Sequence, residues 1–290
     1  MSFWALCFPL ITVGIEYAPH LTFAFLRAAI AGLTLFILAL SAGQAIPNQR
    51  RTWGLLALTG LGSVSLGFLG MFHAAEFVSP GAATVVANTQ PLLAAVLGGL
   101  ILKERLTNLG KTGLATGFFG IVIIASSQLL AGVQDNYAIG VTYILLAAGG
   151  ITLSNVLIKY LAGKVDALMA MGLQLLIGSG PLLALALFSE DVTSINWTAS
   201  FISVLLILSL LGTALVYWLW ISVLETTPLN QANAFSFLIP IFGLTLGLLF
   251  FGEELSWPQM FGISLTLAGI VLVTRFGTLA AAKSAKSDIK

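Results

Sequence analysis

Apolar runs of about membrane-spanning length follow one another along nearly the whole of this 290-residue chain, and no other feature constrains its fold as much. They fall at roughly residues 3–17, 20–41, 52–74, 80–101, 108–130, 138–159, 166–188, 197–223, 229–251 and 257–276. About 20 apolar residues carry a helix across the hydrocarbon core of a bilayer. In lipid only helices and closed barrels satisfy every backbone polar group. Barrel strands alternate over about ten residues, and runs such as Ile202–Leu211 do not alternate. The expected fold class is therefore an all-α membrane protein with ten transmembrane helices. The first run is the shortest and contains Pro9.

Composition agrees. Charged residues are 8% of the chain, against about 25% in soluble domains, and the mean hydropathy is +1.03. Lipid must therefore solvate most of the outside. A net charge of +1 gives no reason to expect nucleic acid, and a single cysteine, Cys7, excludes an internal disulfide. The N-terminus lacks the basic segment of a signal peptide, so Phe3 onward is read as a retained helix.

Basic residues set the expected orientation. Arg50 and Arg51 fall between the second and third runs, Lys103, Arg105 and Lys111 around the fourth-to-fifth loop, and Lys159 and Lys164 between the sixth and seventh. Arg275, Lys283, Lys286 and Lys290 follow the tenth. The alternate loops carry no Lys or Arg, and the remaining cation, Arg27, lies inside a run. The positive-inside rule then puts both termini in the cytoplasm.

The two halves match at an offset of 149 residues. Pro91 pairs with Pro240, Gly98 with Gly247, and Glu104-Arg105-Leu106 with Glu253-Glu254-Leu255. Gly113 pairs with Gly262, and Gly120-Ile121-Val122 with Gly269-Ile270-Val271. The halves are residues 1–130 and 138–276, with 277–290 as a cytoplasmic tail. Each half holds five runs, an odd number, so the second sits upside down relative to the first. Inverted repeats around a midplane site are a common build for secondary transporters.

Two five-helix repeats, each with Pro…Glu-x-Leu and a Gly-rich last helix, resemble the EamA repeats of the drug/metabolite transporter superfamily. The segment Phe23-Ala24-Phe25-Leu26-Arg27 is similar to that family's second-helix pattern. Within the superfamily the chain most resembles bacterial amino-acid exporters of the YddG type, associated with aromatic amino acids. The resemblance implies ten helices, cytoplasmic termini and a central cavity formed by the third, fourth, eighth and ninth helices with their neighbours. Small multidrug transporters of the superfamily use a carboxylate in mid-helix one. Here Glu16 ends the first run, which argues against proton antiport by that device.

A polar group in a span is costly and should face the bundle interior. Thr84, Asn88 and Pro91 share one face of the fourth helix, and Asn233, Ser236 and Pro240 share one face of the ninth. These faces are expected to line the substrate path, with Pro91 and Pro240 bending the helices during gating; the alternative is that the amides and hydroxyls only bond neighbouring helices. Gln90 lies on an adjacent face. His73 and Glu76 end the third helix; they form an outer gate or contact a substrate headgroup at the cavity, or else are a solvated pair. Tyr217, Trp218 and Trp220 in the eighth helix either line a cavity for bulky apolar side chains or form a packing belt. Asn155 and Lys159 lie one turn apart in the sixth, where Lys159 reads as a snorkelling residue. Arg27 either binds a substrate carboxylate or pins backbone carbonyls at a helix contact. The glycine spacings on the fifth and tenth helices suit either packing between the repeats or a dimer face.

The expected function is a secondary transporter exporting amino acids or similar small metabolites across a bacterial-type inner membrane by alternating access. Its partners are a small-molecule substrate and the bilayer, as a monomer or homodimer, without a cofactor or metal. A drug or nucleobase exporter is the nearest alternative. Sugar nucleotides would demand several cavity cations. A membrane enzyme would need clustered chemistry that His20 and His73 alone do not suggest, and a channel would not saturate.

Overall fold

The computed structural model describes residues 1–74, 76–78, 86–87, 89–103, 106–130, 137–239, 241–242, 245 and 256–276. Every extended regular element among them is helical. After a short turn at Ser2–Ala5 come α1 (Cys7–Gly14), α2 (His20–Ser41), α3 (Arg50–Ala74), α4 (Gln90–Leu102) and α5 (Asn108–Leu130). Then follow α6 (Tyr137–Leu161), α7 (Ala167–Ser189), α8 (Ala199–Thr226), α9 (Leu229–Ala234, continued by a 3-10 turn at Phe235–Phe237) and α10 (Trp257–Phe276). Among the described residues, α2, α3, α6, α7, α8 and α10 are long and apolar enough to cross a membrane, and Phe3–Gly14, Gln90–Leu102 and Asn108–Ile124 are shorter apolar helices. The runs expected at 80–101 and 229–251 lie partly outside the described residues, as do Thr84, Asn88, Pro240, Glu104 and Glu253-Glu254.

Local chemistry accounts for several helix ends. The Asp166 carboxylate accepts the Met169 N–H at 3.0 Å at the start of α7, and Thr198 Oγ1 accepts the Phe201 N–H at 3.1 Å at the start of α8. The N-cap position of α2 is Pro19, which offers no acceptor side chain, and a carboxylate from elsewhere in the chain takes that role. Both α3 and α8 widen into π-helical turns, at Leu61–Leu66 and Ile207–Leu215. Such turns often mark functional positions.

Helices at matching places in the two halves touch: α2 packs on α7, α4 on α9 and α5 on α10. Glycines set the α5–α10 distance. A Cβ on Gly120 would lie 2.6 Å from the Gly262 carbonyl, and one on Gly269 would lie 2.6 Å from that of Gly113. Gly113 and Gly262 match at the 149-residue offset, as do Gly120 and Gly269. Each glycine therefore meets the counterpart of the other, the pattern a two-fold axis imposes on a self-complementary contact. The stripe read as repeat packing or dimer face is used within the chain. Large apolar side chains cover the outside, with Phe188 91%, Leu100 74% and Phe119 62% exposed. That surface suits lipid and not water.

Candidate functional site

A cavity opens in the middle of the bundle, with about 1080 Å³ of empty space including its mouth. Its wall is mostly apolar. Arg27 from α2, Ser63 from α3, Asn155 from α6, Tyr217 from α8 and Asn233 from α9 are among its polar lining groups. Helices α1, α4 and the residues just before α4 complete the wall through Cys7, Gln90 and Ala87.

Arg27 is the unusual member. It is 2% exposed, although a cation there must be desolvated. Its Nε donates to Thr213 Oγ1 at 2.8 Å, and Nη2 donates to the Gly212 carbonyl at 3.5 Å and reaches Cys7 Sγ at 3.3 Å. Thr213 in turn donates to the Leu208 carbonyl at 2.8 Å, five residues back, so the π-helical turn of α8 presents its hydroxyl to Arg27. The guanidinium carbon stacks 4.6 Å from the Phe68 ring centroid, a cation–π contact. Among the described residues Nη1 has no hydrogen-bond partner. Arg27 thus links α2 to α8 and, among the described residues, keeps one donor unused at a cavity wall.

Trp220 Nε1 donates to Asn155 Oδ1 at 2.9 Å, linking α8 to α6, and Trp4 meets Trp220 edge-on with centroids 5.4 Å apart. Tyr217 and Trp220 share the cavity face, whereas Trp218 is 38% exposed and absent from the lining. The three-residue spacing separates the aromatics in that way: one turn unites 217 with 220 and leaves 218 outside. Asn233 and Ser236 both line the cavity and also bond their own helix, through Leu229 O at 3.0 Å and Asn233 O at 2.6 Å.

Pro91 falls in the first turn of α4, after a turn at Thr89 and the helical residues Val86 and Ala87; the residues that decide whether a longer helix bends there lie outside the described ones. Two expectations change. Lys159 does not snorkel to water but donates to the carbonyls of Leu224 and Thr227 at the C-terminus of α8, where a cation suits the helix dipole. His73 is not in the cavity. It lies at the opposite end of α3 from Arg50, in a polar cluster with His20, Glu76 and Glu190. There His20 Nε2 is 2.8 Å from His73 Nδ1, and His20 Nδ1 is 2.9 Å from Glu76 Oε1 and 3.4 Å from Glu190 Oε1. Glu190 also accepts the backbone N–H groups of Leu21 and Thr22, each at 2.8 Å, and so caps α2. The other end of the bundle is basic: Arg51 donates to the Tyr160 hydroxyl at 3.3 Å, and Lys164 lies 3.4 Å from the Tyr160 ring centroid.

Sequence reasoning missed Ser63, Thr213, His20 and Glu190. Hydroxyls that can bond their own helix carry no distinguishing mark, and His20 and Glu190 are 170 residues apart in loop-flanking positions.

A helical bundle with a lipid-compatible exterior and a central, partly polar cavity defines a multi-pass membrane protein of the small-molecule transporter class. A family model, the EamA-like transporter family, matches residues 1–126 and 138–275, and the chain belongs to that family. It is 28% identical to "Uncharacterized transporter YvbV" of Bacillus subtilis, over 93% of this chain and 87% of that protein. It is also 28% identical to "Probable amino-acid metabolite efflux pump" of Salmonella typhimurium, over 93% of this chain and 90% of that protein. A solved crystal structure superposes with a TM-score of 0.80 and 18% identity over 94% of each chain, a likeness of fold.

Proposed function

We propose that this protein is a secondary transporter that exports amino acids with apolar or aromatic side chains, and that Arg27 takes the substrate carboxylate. The observation that carries this reading is the buried guanidinium at the cavity wall, whose Nη1 has no partner among the described residues. Among the described residues no carboxylate forms an ion pair with it. A buried cation lacking an anion is costly, and a substrate carboxylate relieves that cost. Nη1 is shielded from water in this conformation, so the carboxylate reaches it after the cavity wall rearranges. Tyr217, Trp220 and the aliphatic wall take the side chain, and Asn155, Asn233, Ser236 and Gln90 are within the same lining for the amino group.

In this reading the chain forms ten spans as two inverted five-helix repeats, with both termini cytoplasmic and the basic Arg51 end inside a bacterial inner membrane. The double family match and the reciprocal glycine contacts support the repeats. Alternating access follows from exchanging the conformations of the two halves, with the α4 and α9 segments around Pro91 and Pro240 as the moving parts and Thr84 and Asn88 on the same path. The printed name of the Salmonella relative supports the substrate class. Cationic drugs, the alternative cargo, are disfavoured by an unneutralised Arg27.

The test uses purified wild-type protein in liposomes. Counterflow of a labelled aromatic amino acid is measured against competition by unlabelled amino acids and their carboxamides. A hydrogen bond to a charged group is worth about 1.5–3 kcal/mol, so the amides should compete about 10–150-fold less well. Equal competition by acid and amide rejects the Arg27 role, and absence of saturable flux across the amino-acid panel rejects the substrate class.

A further inference from the structure

We infer that His20, His73 and Glu76 form a binding site for a borderline divalent metal ion of the Zn²⁺ type at the end of the bundle opposite Arg51. The three side chains offer donor atoms that all lie within 4.8 Å of one another. They come from three places: the first residue of α2, the last turn of α3 and the residues after it. Two imidazoles and a carboxylate are the donor set of many zinc sites with an open fourth position.

The geometry is close to what the ion needs. His20 Nε2 and His73 Nδ1 face each other at 2.8 Å, so one proton is shared between two lone pairs. Zinc–nitrogen bonds of about 2.0–2.1 Å at a tetrahedral angle place two ring nitrogens about 3.3 Å apart. Opening this pair by about half an ångström, with the His73 proton moved to Nε2, turns the N–H···N bridge into a metal bridge. Glu76, with a side chain 41% exposed, can swing from His20 Nδ1 to the ion as third ligand.

Glu190 distinguishes this cluster from a chance meeting of exposed groups. Its side chain is 7% exposed and is fixed by the Leu21 and Thr22 N–H groups and the Thr22 hydroxyl, each at 2.8 Å. It lies 3.4 Å from His20 Nδ1. It thus holds the acceptor that orients a ligating histidine through its other ring nitrogen, the carboxylate–histidine–metal arrangement. It also keeps the Nδ1–H tautomer in place when Glu76 leaves. The Tyr143 ring, 4.5 Å from that of His73, walls the cluster on another side. An ion here ties the start of α2 to the end of α3 and holds that end of the bundle shut.

The test is calorimetric titration of ZnCl₂ into the full-length protein in detergent micelles, with any affinity tag removed. This binding needs no transported substrate, so its outcome is separate from the amino-acid reading. One equivalent of Zn²⁺ is expected, undisturbed by millimolar Mg²⁺, with His20→Gln or His73→Gln weakening it about 100-fold and Glu76→Gln about 10-fold. Wild type and a His20→Gln/His73→Gln double variant binding alike overturns the inference. If a variant melts at a lower temperature without zinc, zinc-edge absorption on the wild type decides. Two nitrogen donors at about 2.0 Å support the site, and a shell of oxygens alone overturns it.

Discussion

Replacing Gly120 with alanine adds one methyl group at the α5–α10 crossing, and the structure sets its consequence. The new Cβ would stand 2.4 Å from Thr266 Oγ1, 2.6 Å from the Gly262 carbonyl and 2.7 Å from the Thr266 nitrogen. Two of these neighbours are backbone atoms, so no rotamer change relieves the overlap and the helices must separate. Overpacking of this kind costs about 1–3 kcal/mol. Alanine returns about 1 kcal/mol through its higher helix propensity. With backbone on both sides the upper part of the range applies, giving a net loss of about 1–2 kcal/mol. Gly54 in α3 is the control, since a Cβ there meets nothing within 4 Å. Gly54→Ala should therefore stabilise by about 0.5–1 kcal/mol. The reciprocal contact gives a sharper test. A Cβ on Gly262 would lie 2.6 Å from the Gly120 carbonyl, so one separation of the helices accommodates both methyl groups. The Gly120→Ala/Gly262→Ala double variant should cost clearly less than the two single losses added together. Unfolding of each variant in micelles by denaturant titration supplies the numbers. Full additivity, or Gly120→Ala as stable as the wild type, would refute the shared-crossing argument.

Three other outcomes are expected. Lys159→Met removes the donor that holds the Leu224 and Thr227 carbonyls; it should lower stability by about 1–2 kcal/mol and speed amide exchange at residues 224–230, which hydrogen-exchange mass spectrometry reads. Trp220→Phe leaves Asn155 Oδ1 without its donor and should cost about 1–3 kcal/mol, part of which returns in Trp220→Phe/Asn155→Leu; a double variant worse than the sum refutes the pairing. The Thr193 hydroxyl and N–H donate to Asp191 at 2.6 and 3.0 Å and hold its carboxyl below the ordinary value. A depressed folded-state value means that the turn's stabilisation is present above the unfolded-state value and is lost as pH falls through the folded one. Asp191→Asn should make the melting temperature less sensitive to acid over that window.

Much of the architecture was legible in the chain. The apolar runs follow from the requirement that every backbone group be paired in lipid, and the structure answers with helices throughout its described residues. Among the described residues six helices are long and apolar enough to span and others are shorter, and the runs at 80–101 and 229–251 lie partly outside those residues. Pro91 illustrates the gap. Its presence was obvious, but whether a proline bends a helix or begins one depends on the residues before it, of which Val86 and Ala87 are helical and Thr89 forms a turn. Cavity residues were found where polar side chains interrupted apolar runs, as with Asn155, Asn233 and Ser236. Trp218 shared that neighbourhood in sequence and not in space.

The sequence by itself determined the solvent, the helical class and the family, because these depend on composition and pattern, which are properties of the chain taken locally. Tertiary structure alone decided the pairing of groups far apart along it. It put Arg27 against Thr213 with one donor to spare, and Lys159 at the end of α8. It also brought His20, His73, Glu76 and Glu190 together from three separate helix ends. Such contacts depend on how helices cross, and no local spacing records a distance between residues 53 to 186 positions apart.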